Sequence, residues 1–265
     1  MVSVMPYIGG KHRLAKEIAV RLHAPGVDTL IEVFGGSAAV MLNAGFKKRV
    51  YNDIDSDIVN VFRMIADDGK CRSLIRRLEC MPPSRAVFEE CHNLAKCDDV
   101  ERAARVLYKQ LWSFGGKGSC GGFSVSVGDR WGIKEVARYS SLIHRLESFC
   151  GFFHETVIEC MDYQNLISAY GQKSNLVLFC DPPYLGTERY YNAAGFNTWH
   201  HWNMAQMLNS VDAHVVLTYY DAPLLRGLYP ESLWQWECVV ATKNCQFRSG
   251  NKQKVNEFII SKRAM

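Results

Sequence analysis

The stretch Leu176-Val177-Leu178-Phe179-Cys180-Asp181-Pro182-Pro183-Tyr184 begins as an apolar run and ends in a polar and aromatic turn. The apolar part predicts a buried strand, so the Asp-Pro-Pro-Tyr part should form a loop at its carboxyl end. Both prolines fix φ and lack N–H groups, and Pro182 biases Asp181 toward an extended backbone. The loop therefore offers the Asp181 carboxylate, the Pro182 carbonyl and the flat ring of Tyr184. Acceptors beside an aromatic face suit an exocyclic amino group on a flat heterocycle.

The composition is that of an ordinary globular protein. The 265 residues are 48% hydrophobic and 22% charged, which is enough for a substantial core. No apolar run is long enough to span a bilayer, and residues 1–16 lack the apolar region of a signal peptide. We therefore expect a protein that acts in the cytoplasm, without membrane association.

The cysteines and histidines do not predict a metal site. The ten cysteines form no CxxC pair or regular framework, so we expect reduced thiols rather than disulfides or zinc ligands. His200-His201 has no ligand partners at a familiar spacing, and we expect it near the start of a helix. We expect no metal cofactor.

Basic residues are unevenly distributed, although the net charge is only +4. Residues 241–263 contain several Lys and Arg against the single acid Glu257, and Arg72, Arg76 and Arg77 form a second cluster. Local basic surface favours contact with phosphates. Solvated charges that maintain solubility explain each cluster equally well.

Hydrophobic periodicity predicts a parallel α/β fold. The chain begins with a strand, a glycine turn, a helix, a second strand, an acid and a helix, which is the first half of a parallel sheet. The predicted strands are Asp28–Phe34, Arg49–Asn52, Phe152–Ile158, Leu176–Phe179, His214–Thr218, Leu233–Val240 and Val255–Ser261, and the last two should form a C-terminal β-hairpin. The predicted helices are Ser37–Asn43, Ser56–Ala66, Cys71–Leu78, Arg85–Ala95, Glu101–Trp112, Asp162–Tyr170, Trp199–Val211 and Ala222–Leu228.

Residues 68–147 differ in character from both flanks. They combine helical periodicity with a glycine-rich segment at 114–128 that contains the alternating Phe123–Val127. We interpret them as an inserted, mainly helical domain with a hairpin or loop. Residues 1–67 and 148–265 would then form the main domain.

Polar residues follow three of the predicted strands. Phe34-Gly35-Gly36-Ser37 would let the backbone approach a ligand near a helix N-terminus, although a plain tight turn is an equal explanation. Asp53 follows the second strand at the spacing where an acid binds ribose hydroxyls, with helix capping as the alternative. Asp162 follows the third strand, where it could reach an adenine amino group or cap the next helix.

Tyr7-Ile8-Gly9-Gly10-Lys11 precedes an amphipathic helix. Lys11 could meet a carboxylate and Tyr7 could pack over a ligand, whereas solvent exposure is the ordinary state of such a lysine. The stronger evidence for a functional role is the order of the motifs along the chain. The motifs aromatic-GGK, FGGS, NDID, CMD and CDPPY each lie at the matching place in one α/β scheme.

In these motifs the chain resembles the Dam-like, D12-class DNA adenine-N6 methyltransferases. The resemblance covers about Val4–Asp67 and Phe152–Lys262 and includes the ending Lys254–Ile260. It implies a Rossmann-like catalytic domain, S-adenosylmethionine as methyl donor and double-stranded DNA as substrate. The implied reaction is site-specific transfer to N6 of a flipped-out adenine at the nucleoid, by an enzyme that works alone or beside a restriction enzyme.

The same resemblance implies roles for individual residues. The catalytic loop would consist of Asp181, Pro182 and Tyr184. The donor would be bound by Tyr7, Lys11, Phe34, Gly35, Asp53, Asp162 and Asp181. The family places its target-recognition domain in the insertion, where the match is loose, so no target sequence is predicted. We expect DNA contacts from four basic residues: Lys117, Arg130, Arg248 and Lys252.

Three alternatives stay open at this point. Related tetrapeptides serve enzymes that methylate cytosine N4, guanine N2 in RNA or glutamine side chains. A catalytically silent nucleic-acid-binding module of the same fold is a second alternative. A dinucleotide-dependent dehydrogenase is disfavoured, because no full GxGxxG follows the first strand.

Overall fold

The computed structural model describes residues 3–116, 118, 121–124, 131–188, 195–242 and 254–262. The chain separates into two compact units. The first, here the sheet unit, contains Lys11–Ile54 and Glu159–Met265. The second, here the helical unit, contains Ser3–Gly10 and Asp55–Ile158, so both predicted limits of the insertion, 68 and 147, lie inside it.

The sheet has seven strands in the order β3-β2-β1-β4-β5-β7-β6. The strands are β1 (Thr29–Glu32), β2 (Lys48–Asn52), β3 (Val157–Glu159), β4 (Leu176–Cys180), β5 (His214–Tyr220), β6 (Trp234–Thr242) and β7 (Lys254–Lys262). Strand β1 is parallel to β2 and β4, and β4 is parallel to β5. Strand β7 is antiparallel to both β5 and β6.

The central strand β4 explains the parallel architecture. All five of its residues are buried, as expected for a strand that is covered on both faces. The chain leaves β1 for β2 on one side and returns to β4 on the other. In open α/β sheets a ligand binds at the carboxyl edge of the strands where the order reverses in this way. Here that place lies between β1 and β4.

Helices of the sheet unit complete its core. They are α1 (Ala15–Leu22), α2 (Met41–Ala44), α9 (Tyr163–Tyr170), α10 (Thr198–Ser210) and α11 (Pro223–Leu228). One continuous apolar cluster joins Leu166 of α9 and Leu208 of α10 to Leu178 and Val215 in the sheet. The Asn197 side chain caps the start of α10.

The helical unit contains α3 (Ser56–Ala66), α4 (Asp68–Glu79), α5 (Arg85–Glu90), α6 (Asp99–Trp112), α7 (Trp131–Leu146) and α8 (Cys150–His154). Four of these begin at a polar side chain that accepts from a backbone N–H of the first turn, namely Asp55, Asp67, Ser84 and Asp98. Tyr108 and Trp112 of α6 pack against Tyr139 of α7.

Three local predictions were wrong. Phe152–Ile158 is not one strand, because α8 runs to His154 and β3 begins at Val157. Phe153 instead packs on Phe62 of α3. The prediction failed because the adjacent apolar residues Phe152 and Phe153 show neither helical nor strand periodicity. Helix α5 ends at Glu90 rather than residue 95, and α2 begins only at Met41.

Several further predictions can be placed. The C-terminal strands pair as expected, while their connection at 243–253 lies outside the described residues. Of the alternating segment, Phe123 bridges to Ser113, and residues 125–127 also lie outside. The eight described cysteines are free thiols. In the described part of the chain, no helix is long and apolar enough to cross a membrane.

Candidate active site

The first feature of the site is the turn after β1. The Gly36 N–H donates to Asp53 Oδ2 at 2.8 Å, so the turn and the acid after β2 are joined directly. A Cβ on Gly35 would overlap the Tyr51 ring and lie 2.7 Å from the Asn52 carbonyl oxygen. Gly36 adopts a φ of 48°, in the left-handed region that favours glycine. The glycine pair is therefore required by close packing as well as by its turn.

The capping alternative for Asp53 is resolved by its neighbour. Asp55 accepts from the N–H groups of Asp57 and Ile58 at 2.9 and 3.3 Å and caps α3. Asp53 is thus not required for the cap and faces the glycine turn. Its partly exposed carboxylate lies at the carboxyl edge of β2, where ribose hydroxyls bind in nucleotide-binding sheets.

Asn52 connects three backbone segments at this edge. Its amide nitrogen donates to the Val33 carbonyl at 2.9 Å and to the Met161 carbonyl at 3.0 Å. Its amide oxygen accepts from the Met161 N–H at 2.8 Å. The end of β2 and the segments that follow β1 and β3 are therefore held together by one buried side chain.

The second feature is the Asp181 carboxylate after β4. Its Oδ2 lies 2.8 Å from the Lys11 ammonium, and its Oδ1 accepts from the Thr218 hydroxyl at 2.7 Å. Thr218 is fully buried near the end of β5. The Asp181 side chain is 16% exposed, so the carboxylate is both oriented and within reach of a ligand.

Tyr184 lies beside the same ammonium. Lys11 Nζ is 4.7 Å from the centre of the Tyr184 ring, and the Tyr184 hydroxyl donates to Glu257 Oε1 at 2.6 Å. The ring also contacts Tyr219 and Tyr220, and the residue is only 5% exposed. A base could therefore stack on Tyr184 only after a neighbour has moved. Burial, followed by the charges of Asp181 and Glu257, raises the pKa of Tyr184 well above its ordinary value.

A buried acid, Glu32, lies at the end of β1 and is 2% exposed. Burial first, and then the charge of Asp181, raises its pKa well above the ordinary value. Backbone N–H groups of Met41 and Val40 bond to it and oppose that shift, while its Oε2 atom has no hydrogen-bond partner. Burial at this edge of the sheet therefore favours the protonated form of Glu32.

An aromatic group borders the third strand end. Phe34 stacks on Tyr163 at 5.9 Å between ring centres and meets Phe196 edge-on at 6.0 Å. Asp162 accepts from the Gln164 N–H at 2.8 Å and caps α9. The capping alternative for Asp162 is thus present, and its contact with an adenine stays a prediction.

Five of the predicted site residues stay predictions. Tyr7 belongs to the helical unit, so its role stays a prediction. The four expected DNA contacts, Lys117, Arg130, Arg248 and Lys252, all lie outside the described residues. In the basic cluster of α4, Arg72 pairs with Asp68 and Arg77 with Glu101, which favours the solubility explanation for those two arginines.

Sequence reasoning missed three residues of the site: Glu32, Thr218 and Glu257. Glu32 ends a strand of apolar neighbours, and an acid inside a predicted buried strand is a signal that was available. Glu257 was visible as the single acid of a basic segment. Thr218 gave no comparable signal, because threonine is common in strands.

The geometry suits a nucleoside that carries a charged amino-acid group. Asp53 can accept from ribose hydroxyls, Phe34 can pack on a base, and Lys11 is a cation that could meet a carboxylate. Lys11 would then have to leave or share Asp181, to which it is bonded at 2.8 Å. Within the described residues, no group of three potential ligands is placed to hold a metal ion.

A mostly parallel sheet with an acid after β2 and an oriented Asp-Pro-Pro-Tyr loop after β4 defines an α/β methyltransferase. Comparison with known proteins agrees, since residues 7–242 match the family described as D12 class N6 adenine-specific DNA methyltransferase. The chain belongs to this family.

Curated proteins with similar sequences carry related names. The chain is 26% identical to the Retron Ec67 DNA adenine methylase of Escherichia coli, with 98% of this chain and 90% of that protein covered. It is 26% identical to the DNA adenine methylase of Salmonella typhi, with 97% and 94% covered. It is 28% identical to the DNA N-6-adenine-methyltransferase of Escherichia phage P1, where it spans 91% of its own length but 33% of the phage protein.

Proposed function

We propose that this protein transfers a methyl group from S-adenosylmethionine to N6 of an adenine that is flipped out of duplex DNA at a specific sequence. The observation that carries the proposal is the fixed Asp181 carboxylate, bonded to Thr218 and Lys11 beside Tyr184. This acceptor lies at the sheet edge where the family's catalytic loop is expected. In the cell, the enzyme would act in the cytoplasm on nucleoid DNA.

The sheet unit supplies groups that would hold the donor. Asp53 would accept from the ribose hydroxyls, and Phe34 with Asp162 would contact the adenine end. Lys11 would bind the carboxylate, and Gly35 would contribute by holding the turn after β1 in place beside the donor. The bound donor supplies an electrophilic methyl group on a sulfonium. Tyr7 is proposed as a further donor contact.

Asp181 and Pro182 orient the attacking nitrogen. The adenine amino group is a weak nucleophile because its lone pair is conjugated with the ring. The Asp181 carboxylate and the Pro182 carbonyl each accept one amino hydrogen, which favours tetrahedral geometry at nitrogen and directs the lone pair at the methyl group. As the N–C bond forms, the S–C bond would break and the donor would leave as a neutral thioether. Asp181 need not remove a proton beforehand, because the nitrogen becomes acidic once it is methylated and would then release its proton to Asp181 or to water. Alignment and fixed charge then lower the barrier.

The base must leave the duplex before it can reach this loop. Extrusion costs a few kcal/mol. Stacking on Tyr184 would return roughly 1–3 kcal/mol, and it requires that the Lys11 ammonium leave the ring face. The basic residues Lys117, Arg130, Arg248 and Lys252 are proposed to contact the DNA backbone, and the helical unit is proposed to contain the target-recognition function.

The test is methyl transfer by Asp181→Ala. We expect this variant to fold and to lose transfer, because both amino-hydrogen acceptors act together. Protein is incubated with tritiated donor and separate DNA, RNA and protein substrates, and digested DNA is analysed for N6-methyladenine and N4-methylcytosine. Asp221→Ala is the matched control, since this exposed acid pairs with Arg226.

Three results would contradict the proposal. Transfer by Asp181→Ala near the wild-type rate would refute the mechanism. Label in cytosine, RNA or protein would identify one of the alternative amino-methyltransferases. Failure of the wild-type protein to bind donor by calorimetry would support a silent binding module.

A further inference from the structure

Glu257 is a buried acid whose contacts belong to the catalytic loop. It is 5% exposed and lies on β7, opposite Tyr220 of β5 and Val239 of β6. A carboxylate that is removed from water is costly unless charges or hydrogen bonds compensate it. The compensation here comes from the Tyr184 hydroxyl at 2.6 Å and the Lys11 ammonium at 3.5 Å.

These contacts fix the Tyr184 ring at two points. Glu257 holds the hydroxyl end, and the Lys11 ammonium lies 4.7 Å from the ring centre. The same ammonium is 2.8 Å from Asp181, so one cation is shared by two carboxylates. A change at Glu257 would therefore affect both Tyr184 and Asp181 through contacts within the protein.

We propose that Glu257 is a positioning residue for methyl transfer, which holds the Tyr184 ring through its hydroxyl and shares Lys11 with Asp181. The inference rests on the proposed function of the Asp181 loop. It gives the Tyr184 hydroxyl a specific partner, in addition to the stacking role proposed for the ring face. A purely supporting acid on β7 would stabilise the fold without affecting the chemical step.

Four variants separate positioning from support. Glu257→Gln keeps an acceptor for Tyr184 but removes the charge that faces Lys11. Glu257→Leu removes both contacts, and Tyr184→Phe removes only the hydroxyl. The double variant Tyr184→Phe/Glu257→Leu removes both members of the buried hydrogen bond, the Tyr184 hydroxyl and the Glu257 carboxylate. Glu237→Gln is the control, because this acid on the neighbouring strand β6 pairs with Arg21.

Single-turnover transfer to DNA and thermal unfolding are measured on all proteins. We expect the rate constant for transfer to fall by up to about 100-fold in Glu257→Leu, the cost of an ~1 Å misplacement. Glu257→Gln should lose less, and Glu237→Gln should match the wild type. In the double variant the melting temperature should recover relative to Glu257→Leu, because replacing both partners removes an unsatisfied group. The transfer rate should stay low.

Recovery of transfer together with the melting temperature would show that Glu257 only supports the fold and would overturn the inference. Wild-type rates in both Glu257 variants would do the same. Absence of adenine methylation by the wild-type protein would instead refute the proposed function. In that case the melting temperatures still test the hydrogen bond between Tyr184 and Glu257. Additive effects of Tyr184→Phe and Glu257→Leu on stability would show that the two side chains do not interact.

Discussion

Thr218→Val tests how much of the reaction depends on the orientation of Asp181. The Thr218 hydroxyl donates to Asp181 Oδ1 at 2.7 Å from a fully buried position, so valine removes this donor and nearly keeps the volume. A hydrogen bond to a charged group contributes about 1.5–3 kcal/mol. If that energy is needed to hold the carboxylate in the transition state, kcat falls by about 10- to 150-fold.

The assay is single-turnover transfer of tritiated methyl groups to a DNA duplex with the donor at saturation. Saturation matters because Lys11, the proposed partner of the donor carboxylate, is unchanged in this variant, so the effect should appear in the chemical step rather than in donor binding. Thr218→Ser is the matched control, since it keeps the hydroxyl and loses only the methyl group. Thermal unfolding of both variants separates loss of orientation from loss of fold.

A folded Thr218→Val protein with kcat within about twofold of the wild type would refute this reasoning, because the expected loss is several times larger. Equal losses in the valine and serine variants would also refute it. Packing of the methyl group, rather than the hydroxyl, would then be the property that matters at residue 218.

Two further predictions concern stability. Glu32 has a raised pKa in the folded state. Its contribution to the free energy of unfolding is therefore complete at pH values below the ordinary carboxyl pKa and is lost as pH rises through the raised pKa. Glu32→Gln should therefore raise the free energy of unfolding relative to the wild type, and this difference should grow with pH by at most about 1.4 kcal/mol per pH unit. The same difference between the two proteins at every pH from acid to alkaline would contradict this. Gly35→Ala should destabilise by about 1–3 kcal/mol in urea titrations, because its Cβ would overlap Tyr51. Gly227→Ala, with open space at its Cβ, should be neutral or stabilising, and equal effects at both glycines would be the contrary result.

Patterns with a clear period or a hard boundary were predicted well. The apolar run before Asp181 predicted β4, and glycine, proline and acid punctuation placed the turns after β1, β2 and β4. These signals are local, because a buried parallel strand needs only a short apolar segment and a turn needs only its own residues. Asp53 and Asp181 could be found for the same reason.

Contacts between distant segments could not be predicted. Glu257 reaches Tyr184 from a strand that begins 70 residues further along the chain, at Lys254, and that pairing depends on the order of β5, β7 and β6. Thr218 is an ordinary strand residue until β5 is placed beside β4. The misassigned Phe152 and Phe153 show the opposite problem, since aromatic side chains fit a strand and a helix equally well until their partner is known.

The three bonds of Asn52 also have a dynamic consequence. Because one amide joins the end of β2 to the segments after β1 and β3, a ligand that immobilises any one of the three restricts the other two. Part of the ordering entropy for a nucleoside is then already lost in the folded protein, and affinity at Asp53 and affinity near Asp162 should rise and fall together.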